Sequence, residues 1–408
     1  MISAHLAADV VAVQCAALAL GWLWQAVRAL RGLPTLPDLT RADADWPELA
    51  ESGAPDVTVI VPACNEEDSI QTTLRSLLAS TDVRLQIVAV DDRSTDRTGA
   101  LMDEVAAEAR AAGGAHTLEI IHNRELPPGW MGKAHAVHLG ALRATAPWLL
   151  FTDGDMTFDA RAIGLAVSYA RAKKADHVVL LFSIETRSTA EAAVLAAFQA
   201  LAAWNLRLWK VADPKARDFF GVGGFNLVRR DVYERVGGFA VMRMEIVEDL
   251  RLAWKIKRAG FAQRIVLGPG LVRIRWIKGA LGIVGLLEKN GFAGLRYRVG
   301  LALVAFVGFA IQIVLPLVAM VCGGWAAAAG ILVYVFIALT YFANRRVTQV
   351  SPWVAMFFAP ATTILLYSLV RSMILALVRN GVVWRGTFYP LDELRRHTGN
   401  WGDPSRRG

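Results

Sequence analysis

Four apolar runs, one near the start of the chain and three toward its end, constrain the fold before any motif is read. Residues 10–27 (VVAVQCAALALGWLWQAV) are about long enough to cross a bilayer; 299–322, 325–343 and 353–378 are the others. Between them, from about 55 to 275, apolar and polar residues mix as in an ordinary globular domain. A 408-residue chain that is 55% hydrophobic and 20% charged is neither disordered nor collagenous, and the long mixed centre argues against an all-membrane transporter. Cys15, Cys64 and Cys322 have no spacing that suits a disulfide framework or a metal site.

The charges orient the flanks. Arg28 and Arg31 follow the first run and only His5 and Asp9 precede it, so its C-terminal end faces the cytoplasm. Basic residues after the apolar run, not before it, favour a retained anchor over a cleaved signal peptide. Gly323 to Trp325 join the next two runs as a helical hairpin, and Asn344, Arg345 and Arg346 close it on the cytoplasmic side. The last run contains Pro360 and Arg371, with Arg379, Arg385, Arg395, Arg396, Arg406 and Arg407 beyond it. A simple span carries that tail outside, against the charge rule; a broken, re-entrant or interfacial segment keeps it inside. Both readings stay open. The chain thus divides into an anchor (8–30), a globular domain (55–275), an interfacial segment (276–298), a transmembrane region (299–378) and a basic tail (379–408). With spans present, the net charge of +8 suits an anionic membrane surface better than nucleic acid.

In the centre, strands are expected at 57–62, 85–92, 118–122 and 148–153, with helices over about 66–79, from Asp96 and from Lys133. Such alternation, with near-continuous apolar strands, predicts an α/β domain whose mostly parallel sheet is covered on both faces. Ligands in such sheets lie at the carboxyl ends of the strands. There the sequence places acids: Glu66 and Glu67, Asp91 and Asp92, Asp153 and Asp155. PACNEED has no glycine-rich phosphate loop. Carboxylates repel a diphosphate, but they can hold a divalent cation that bridges to it, or accept hydrogen bonds from ribose and base. Mg²⁺ or Mn²⁺ suits the paired acids of TDGD (152–155), although one such turn is by itself more often a cap.

The order of motifs is more specific. PACNEED (62–68), VDDRSTD (90–96), GWMGKAHA (129–136), TDGD (152–155), GVGGFNLVRR (221–230), VGGF (236–239) and EDLRLAWKIKRAGF (248–261) resemble family 2 glycosyltransferases of the GT-A (Rossmann-like) fold over roughly 55–275. The flanking spans resemble the membrane-bound subset that glycosylates lipids, ceramide glucosyltransferases and hopanoid- or carotenoid-associated enzymes among them, and WRGTFY (384–389) is similar to a short motif of the latter. The resemblance implies that Pro62, Ala63, Asn65 and Glu67 line the nucleotide pocket and that Asp92 contacts the base. It implies that Lys133 lies near base or phosphate, that Asp153 approaches ribose or metal, that Asp155 ligates the metal, and that Asp249 is the general base. The implied donor is UDP-linked, with GDP-mannose as the alternative, and the implied acceptor is a lipid hydroxyl at the cytoplasmic face of the plasma membrane.

Chemistry supports Asp249 independently: loss of a nucleoside diphosphate needs a carboxylate to take the acceptor's proton. Glu248 and Asp249 open a helix, where acids often serve only as caps and dipole partners. Glu248, Arg275 and Trp276 are secondary candidates for acceptor or diphosphate contacts, with an interfacial anchor as the plainer role of the last two. RIRW (273–276) departs from the Q-x-x-R-W of polymerising synthases, with Val272 in the glutamine's place, which argues against a polymer product. The stretch 189–212, carrying Trp204, Arg207, Trp209 and Lys210, is expected to be helical, either at the membrane surface near the acceptor or in the core. Rival readings are a polyprenyl-phosphate acceptor, which needs no base, and a catalytically silent membrane protein that binds nucleotide sugars.

Overall fold

The computed structural model describes residues 2–41 and 53–397. In chain order the helices are α1 (Ile2–Gly32), α2 (Ile70–Leu78), α3 (Thr98–Ala112), α4 (Gly132–Leu142), α5 (Ala162–Ala172), α6 (Thr189–Ala202), α7 (Arg230–Arg235), α8 (Glu248–Arg258), α9 (Gly282–Gly294), α10 (Val299–Cys322), α11 (Gly324–Thr348), α12 (Phe358–Val378) and α13 (Leu391–His397). The strands are β1 (Val57–Ala63), β2 (Leu85–Asp92), β3 (Thr117–Asn123), β4 (Trp148–Phe151), β5 (Met156–Phe158), β6 (His177–Leu181), β7 (Ser183–Ile184), β8 (Asn226–Arg229), β9 (Gln263–Leu267), β10 (Val272–Ile274), β11 (Gly381–Trp384) and β12 (Thr387–Pro390). The chain forms two units: an α/β unit of Leu36–Glu185 and Leu208–Arg275, and a helical unit of Met1–Thr35, Thr186–Arg207 and Trp276–Arg396.

The α/β unit is built on a seven-stranded sheet of order β3-β2-β1-β4-β8-β6-β9. β1, β2, β3 and β4 run parallel, as do β6 and β9; β8 runs antiparallel between β4 and β6. Every residue of β1 is buried, as a strand covered on both faces requires. α4 packs over β1 and β2, and Gly140 permits this: a Cβ there would lie 2.6 Å from Ile60. On the side toward α8, Ile60, Phe151, Val228, Tyr233, Phe239 and Leu252 form one apolar cluster. The parallel register aligns the strand ends, with Ala63 opposite Asp91 and Asp92 opposite Asn123.

Two local expectations change here. β4 ends at Phe151, so TDGD forms a turn and not the end of a strand. α2 begins at Ile70, four residues later than the apolar pattern suggested, because Asn65 takes a left-handed conformation (φ 56°) and bends the chain away from β1.

The helical unit packs α1 against α10 and α11, and α12 against α6, α9 and α10. Trp22 of α1 donates from its indole to Gln312 Oε1 at 2.9 Å, and its ring meets Trp204 and Phe358 edge-on at 5.3 and 5.4 Å. Four helical stretches, 5–35, 299–322, 324–348 and 352–378, are long and apolar enough to cross a membrane. α6 stops at Ala202, short of the helix expected to reach 212, and the chain then turns so that Trp204 packs on Gly21 and Trp22. Residues 186–207 therefore group with the helical unit although the globular domain was expected to run unbroken over 55–275.

The last apolar run opens with a 3₁₀ turn (Pro352–Phe357), which puts Pro360 in the first turn of α12, where its missing N–H costs no helical bond. The other end of α12 is tied to α9: Arg371 and Arg379 donate to Glu288 at 3.0 and 3.2 Å, and Ser372 accepts from the Phe292 amide at 2.9 Å. WRGTFY forms the β11–β12 hairpin, turning at Arg385 and Gly386 (φ 48° and 76°), with Lys289 over the Trp384 ring at 3.7 Å. The tail's Arg406 and Arg407 lie outside the described residues.

Candidate active site

The site lies at the carboxyl end of the α/β unit's sheet, and Lys133 is its electrostatic centre. At the start of α4, its ammonium lies 2.6 Å from Asp153 and 2.8 Å from Glu248. Burial alone would lower the Lys133 pKa, but Asp153, Glu248 and Asp249 outweigh it and raise it, so the ammonium stays charged. Asp153 comes from the turn after β4, and Glu248 and Asp249 from the first turn of α8. Residues 95 apart in sequence are thus joined through one cation.

Asp155 and Asp249 carry the strain of this crowding. Burial, then Asp153 and Glu66, push the Asp155 carboxyl well above the ordinary carboxylate range. Burial, then Glu248, push Asp249 up to about 7 against the opposing pull of Lys133. Asp249 Oδ1 accepts from the Leu250 amide at 2.7 Å. A carboxyl with such a pKa both holds and releases a proton near neutral pH, as a general base should.

The other anticipated pocket residues have protein partners. Asn65 Oδ1 accepts from the Thr95 amide at 2.8 Å, and Glu67 Oε2 from the Arg97 amide at 3.2 Å. They tie the loop after β1 to the loop after β2, so their visible work is to fix the pocket's shape. Pro62 and Ala63 end β1 and pack against the TDGD turn, where a Cβ on Gly154 would lie 3.2 Å from the Ala63 Cβ. Asp92 is buried and held by Arg93, at 3.0 and 2.8 Å, and by Asn123 at 2.7 Å. Asp91, also buried, pairs with His122 at 3.0 Å and holds the loop after β2. Arg275 ends the α/β unit, and Trp276 packs on Phe198 at 5.4 Å in the helical unit. His138 stacks on Trp130 with ring centres 5.0 Å apart, which accounts for that histidine without a ligand role.

Three features of the site carry little signal in the sequence. Arg93 clamps Asp92 and carried no signal beyond adjacency to the acid pair. Glu66, a strand-end acid by its place in the sequence, acts electrostatically on Asp155. Gly221 and Gly223 underlie the acids: a Cβ on Gly221 would collide with the Asp249 carbonyl, and one on Gly223 would lie 2.7 Å from Asp153 Oδ2 and 3.0 Å from Lys133 Nζ. The glycine run itself was the only available clue.

Among the described residues, no group of three or more His, Cys, Asp or Glu side chains is arranged to hold a metal ion. The donor chemistry still suits one. Glu66, Asp153, Asp155, Glu248 and Asp249 gather carboxylates near the Lys133 ammonium, and burial, with Asp153 and Glu66 beside it, holds the Asp155 carboxyl well above its usual range. Hard oxygens are what Mg²⁺ and Mn²⁺ take.

Residues 58–251 match the family model described as Glycosyl transferase family 2. The chain is similar to a 4,4'-diaponeurosporenoate glycosyltransferase of Staphylococcus haemolyticus, 31% identical over 117 residues and covering 28% of each chain. It is also similar to YdaM of Bacillus subtilis, named as a probable glycosyltransferase, 26% identical over 216 residues and covering 51% of this chain and 48% of that one. The chain thus matches less than half the length of either relative. Among solved structures, a mannosyltransferase of Pyrobaculum calidifontis in complex with GDP-Man and Mn²⁺ shares the fold, with a TM-score of 0.52 at 20% identity over 90% of this chain and 99% of that one.

Proposed function

Because residues 58–251 are a family 2 glycosyltransferase domain, we propose that the protein is an inverting, metal-dependent enzyme that moves one sugar from a nucleotide sugar to a lipid hydroxyl. The observation that carries the reading is the Asp153–Lys133–Glu248 bridge with Asp249 beside it, its pKa raised to about 7. The acceptor oxygen attacks the anomeric carbon from the face opposite the diphosphate. The new C–O bond forms as the bond to the diphosphate breaks, and the hydroxyl proton passes to Asp249. Lys133 supplies fixed positive charge between the two acid-bearing segments. Asp155, with Asp153, would hold Mg²⁺ or Mn²⁺, whose chemistry there is to neutralise the leaving diphosphate. The fold-sharing mannosyltransferase bound to GDP-Man and Mn²⁺ supports a nucleotide-sugar donor and a divalent ion. Family usage favours UDP.

The lipid acceptor is supported by the spans and by the relative whose name gives a carotenoid acid as its substrate. The test is to incubate membranes containing the protein with radiolabelled nucleotide sugars and Mg²⁺ or Mn²⁺. Label is expected in the lipid extract, as one sugar per lipid by mass spectrometry. Label confined to water-soluble products overturns the lipid acceptor, long chains overturn single transfer, and no transfer from any donor favours a silent binding protein.

The same reading puts the α/β unit and the tail on the cytoplasmic face of the plasma membrane. Arg28, Arg31, Arg345 and Arg346 support that side for α1 and α11. For the tail, Glu288 binds Arg371 and Arg379, and Arg395 donates to the Tyr297 carbonyl at 3.3 Å. Glu288 lies in α9 and Tyr297 in the link from α9 to α10, so the end of α12 and the segment after it are held beside the stretch that leads into α10, which favours a re-entrant course over a fourth crossing. A fluorescent-protein fusion after Tyr389 is expected to fluoresce in the cytoplasm; an active periplasmic phosphatase fusion there would reverse the assignment.

A further inference from the structure

A buried polar trio in the α/β unit has no part in the chemistry above. His177 on β6, Asn226 on β8 and Gln263 on β9 are each at most 1% exposed. His177 lies opposite Gln263 in the parallel register and opposite Val228 in the antiparallel one, so Asn226, two residues from Val228, shares their face. Their hydrogen bonds have one consistent direction. Gln263 Nε2 donates to His177 Nδ1 at 2.6 Å, so the imidazole proton sits on Nε2 and is donated to Asn226 Oδ1. That leaves Gln263 Oε1 free of the trio's own bonds, and it accepts the Phe220 amide at 3.1 Å.

Phe220 is the residue before the glycine stretch beneath the acids. Gly221 abuts the Asp249 carbonyl and Gly223 abuts Asp153 and Lys133. The Gly224 carbonyl accepts from Thr152 Oγ1 at 2.8 Å, on the turn that carries Asp153. We propose that Gln263, oriented by His177 and Asn226, is a positioning residue: it clamps the Phe220 amide and so fixes the 221–224 backbone that spaces Asp249 from the Asp153–Lys133 pair. The proposal rests on the active-site reading for its catalytic consequence, but the clamp itself is a property of the fold. An apolar trio would fill the same volume without buried polar groups to satisfy. The bond to Phe220 carries the trio's order out of the sheet and into a loop.

The test compares Gln263→Met, which fills the space without an acceptor, with Gln263→Glu, in the full chain in lipid nanodiscs. Glu still accepts from Phe220, and from the other tautomer of His177, with Asn226 turned to donate. The donor is whichever nucleotide sugar supports transfer; if none does, the exchange readout alone decides the clamp and the positioning role is overturned. Expected for Q263M are faster amide hydrogen exchange at 220–224, donor KM within about twofold of wild type, and kcat lower by about tenfold or more, since small misplacements of catalytic groups cost that much. Q263E is expected to recover much of both exchange protection and kcat. Unchanged exchange at 220–224 in Q263M overturns the clamp, whatever the catalytic assignment. Faster exchange with kcat unchanged overturns the positioning role. A loss of kcat in Q263M that merely follows a lower Tm, with no recovery in Q263E, reduces the trio to a stability element and also overturns it. If Asp249→Asn turns over normally, the base assignment falls, while faster exchange in Q263M still supports the clamp.

Discussion

The α/β unit crowds its acids; the helical unit neutralises its own. Around Lys133 stand Asp153, Glu248 and Asp249, with Asp155 and Glu66 close by, and two of these carboxyls have raised pKa values. Glu288 of α9, by contrast, is shared by two arginines, Arg371 and Arg379. Apolar side chains divide the other way. Those of β1 are buried within the protein, while in the helical unit Val304, Val321 and Trp325 are 70%, 88% and 86% exposed and the close contacts fall to small residues such as Gly21 and Gly330. The same residue types thus do different work. Crowded, buried carboxyls in a folded interior are a reservoir for ligand binding and proton transfer, and outward apolar surface is stable only against lipid.

The sharpest way to break this contrast is Asp249→Asn. Transfer should fall about 10²- to 10⁴-fold, the usual worth of a general base, with donor binding retained. Because burial raises the Asp249 pKa from 3.8 to about 7, the unfolded chain releases this proton first; stability is lost as pH rises between those values and stays lost above about pH 7, so the Asn variant should melt no lower than wild type there. A variant that loses stability and keeps its rate would make Asp249 a structural acid like Glu288.

His177 supplies the next effect. Burial lowers its pKa to about 4, against 6.5 unperturbed. The unfolded chain therefore binds the proton first as pH falls, and the stability present above about pH 6.5 is progressively lost down to about pH 4. The loss amounts to roughly 3 kcal/mol, from a shift of about 2.5 units at 1.36 kcal/mol each. Chemical denaturation of the α/β unit's signal across that range should show a steeper acid loss in wild type than in His177→Gln.

In the helical unit the counterpart is steric. A Cβ on Gly330 would lie 2.7 Å from the Pro316 carbonyl, so Gly330→Val should force α10 and α11 apart at a cost of about 1–3 kcal/mol. The lower melting temperature should come with unchanged donor KM. The smallest effect is expected of Glu288→Gln: a partly exposed pairing with two arginines is worth about 1 kcal/mol or less, so Tm should dip slightly and kcat should hold. If kcat falls with Tm intact, acids in the helical unit also serve the reaction.

Much of the scaffold was legible in order. β2 and α10 fall on the residues expected, 85–92 and 299–322, because an uninterrupted apolar run can be hidden in few ways. The placement of β8, antiparallel between β4 and β6, was not: a four-residue strand carries no mark of its neighbours. Nor was the helical unit's claim on residues 186–207, since the apolar face of α6 reads alike whether it meets soluble core or membrane helices.

For the site, the sequence by itself determined which acids stand at strand ends and helix starts, because periodicity and turn residues fix those places locally. Only the tertiary structure decided which of them meet. Lys133, Asp153 and Glu248 come from three separate segments, and their distances of 2.6 and 2.8 Å follow from sheet order and helix packing. So too with Gln263: its isolated letter in β9 acquires meaning only through His177 across the sheet and the Phe220 amide beyond it. Local patterns record what a residue is next to in the chain, whereas electrostatics and hydrogen bonds depend on what lies within a few ångströms in space.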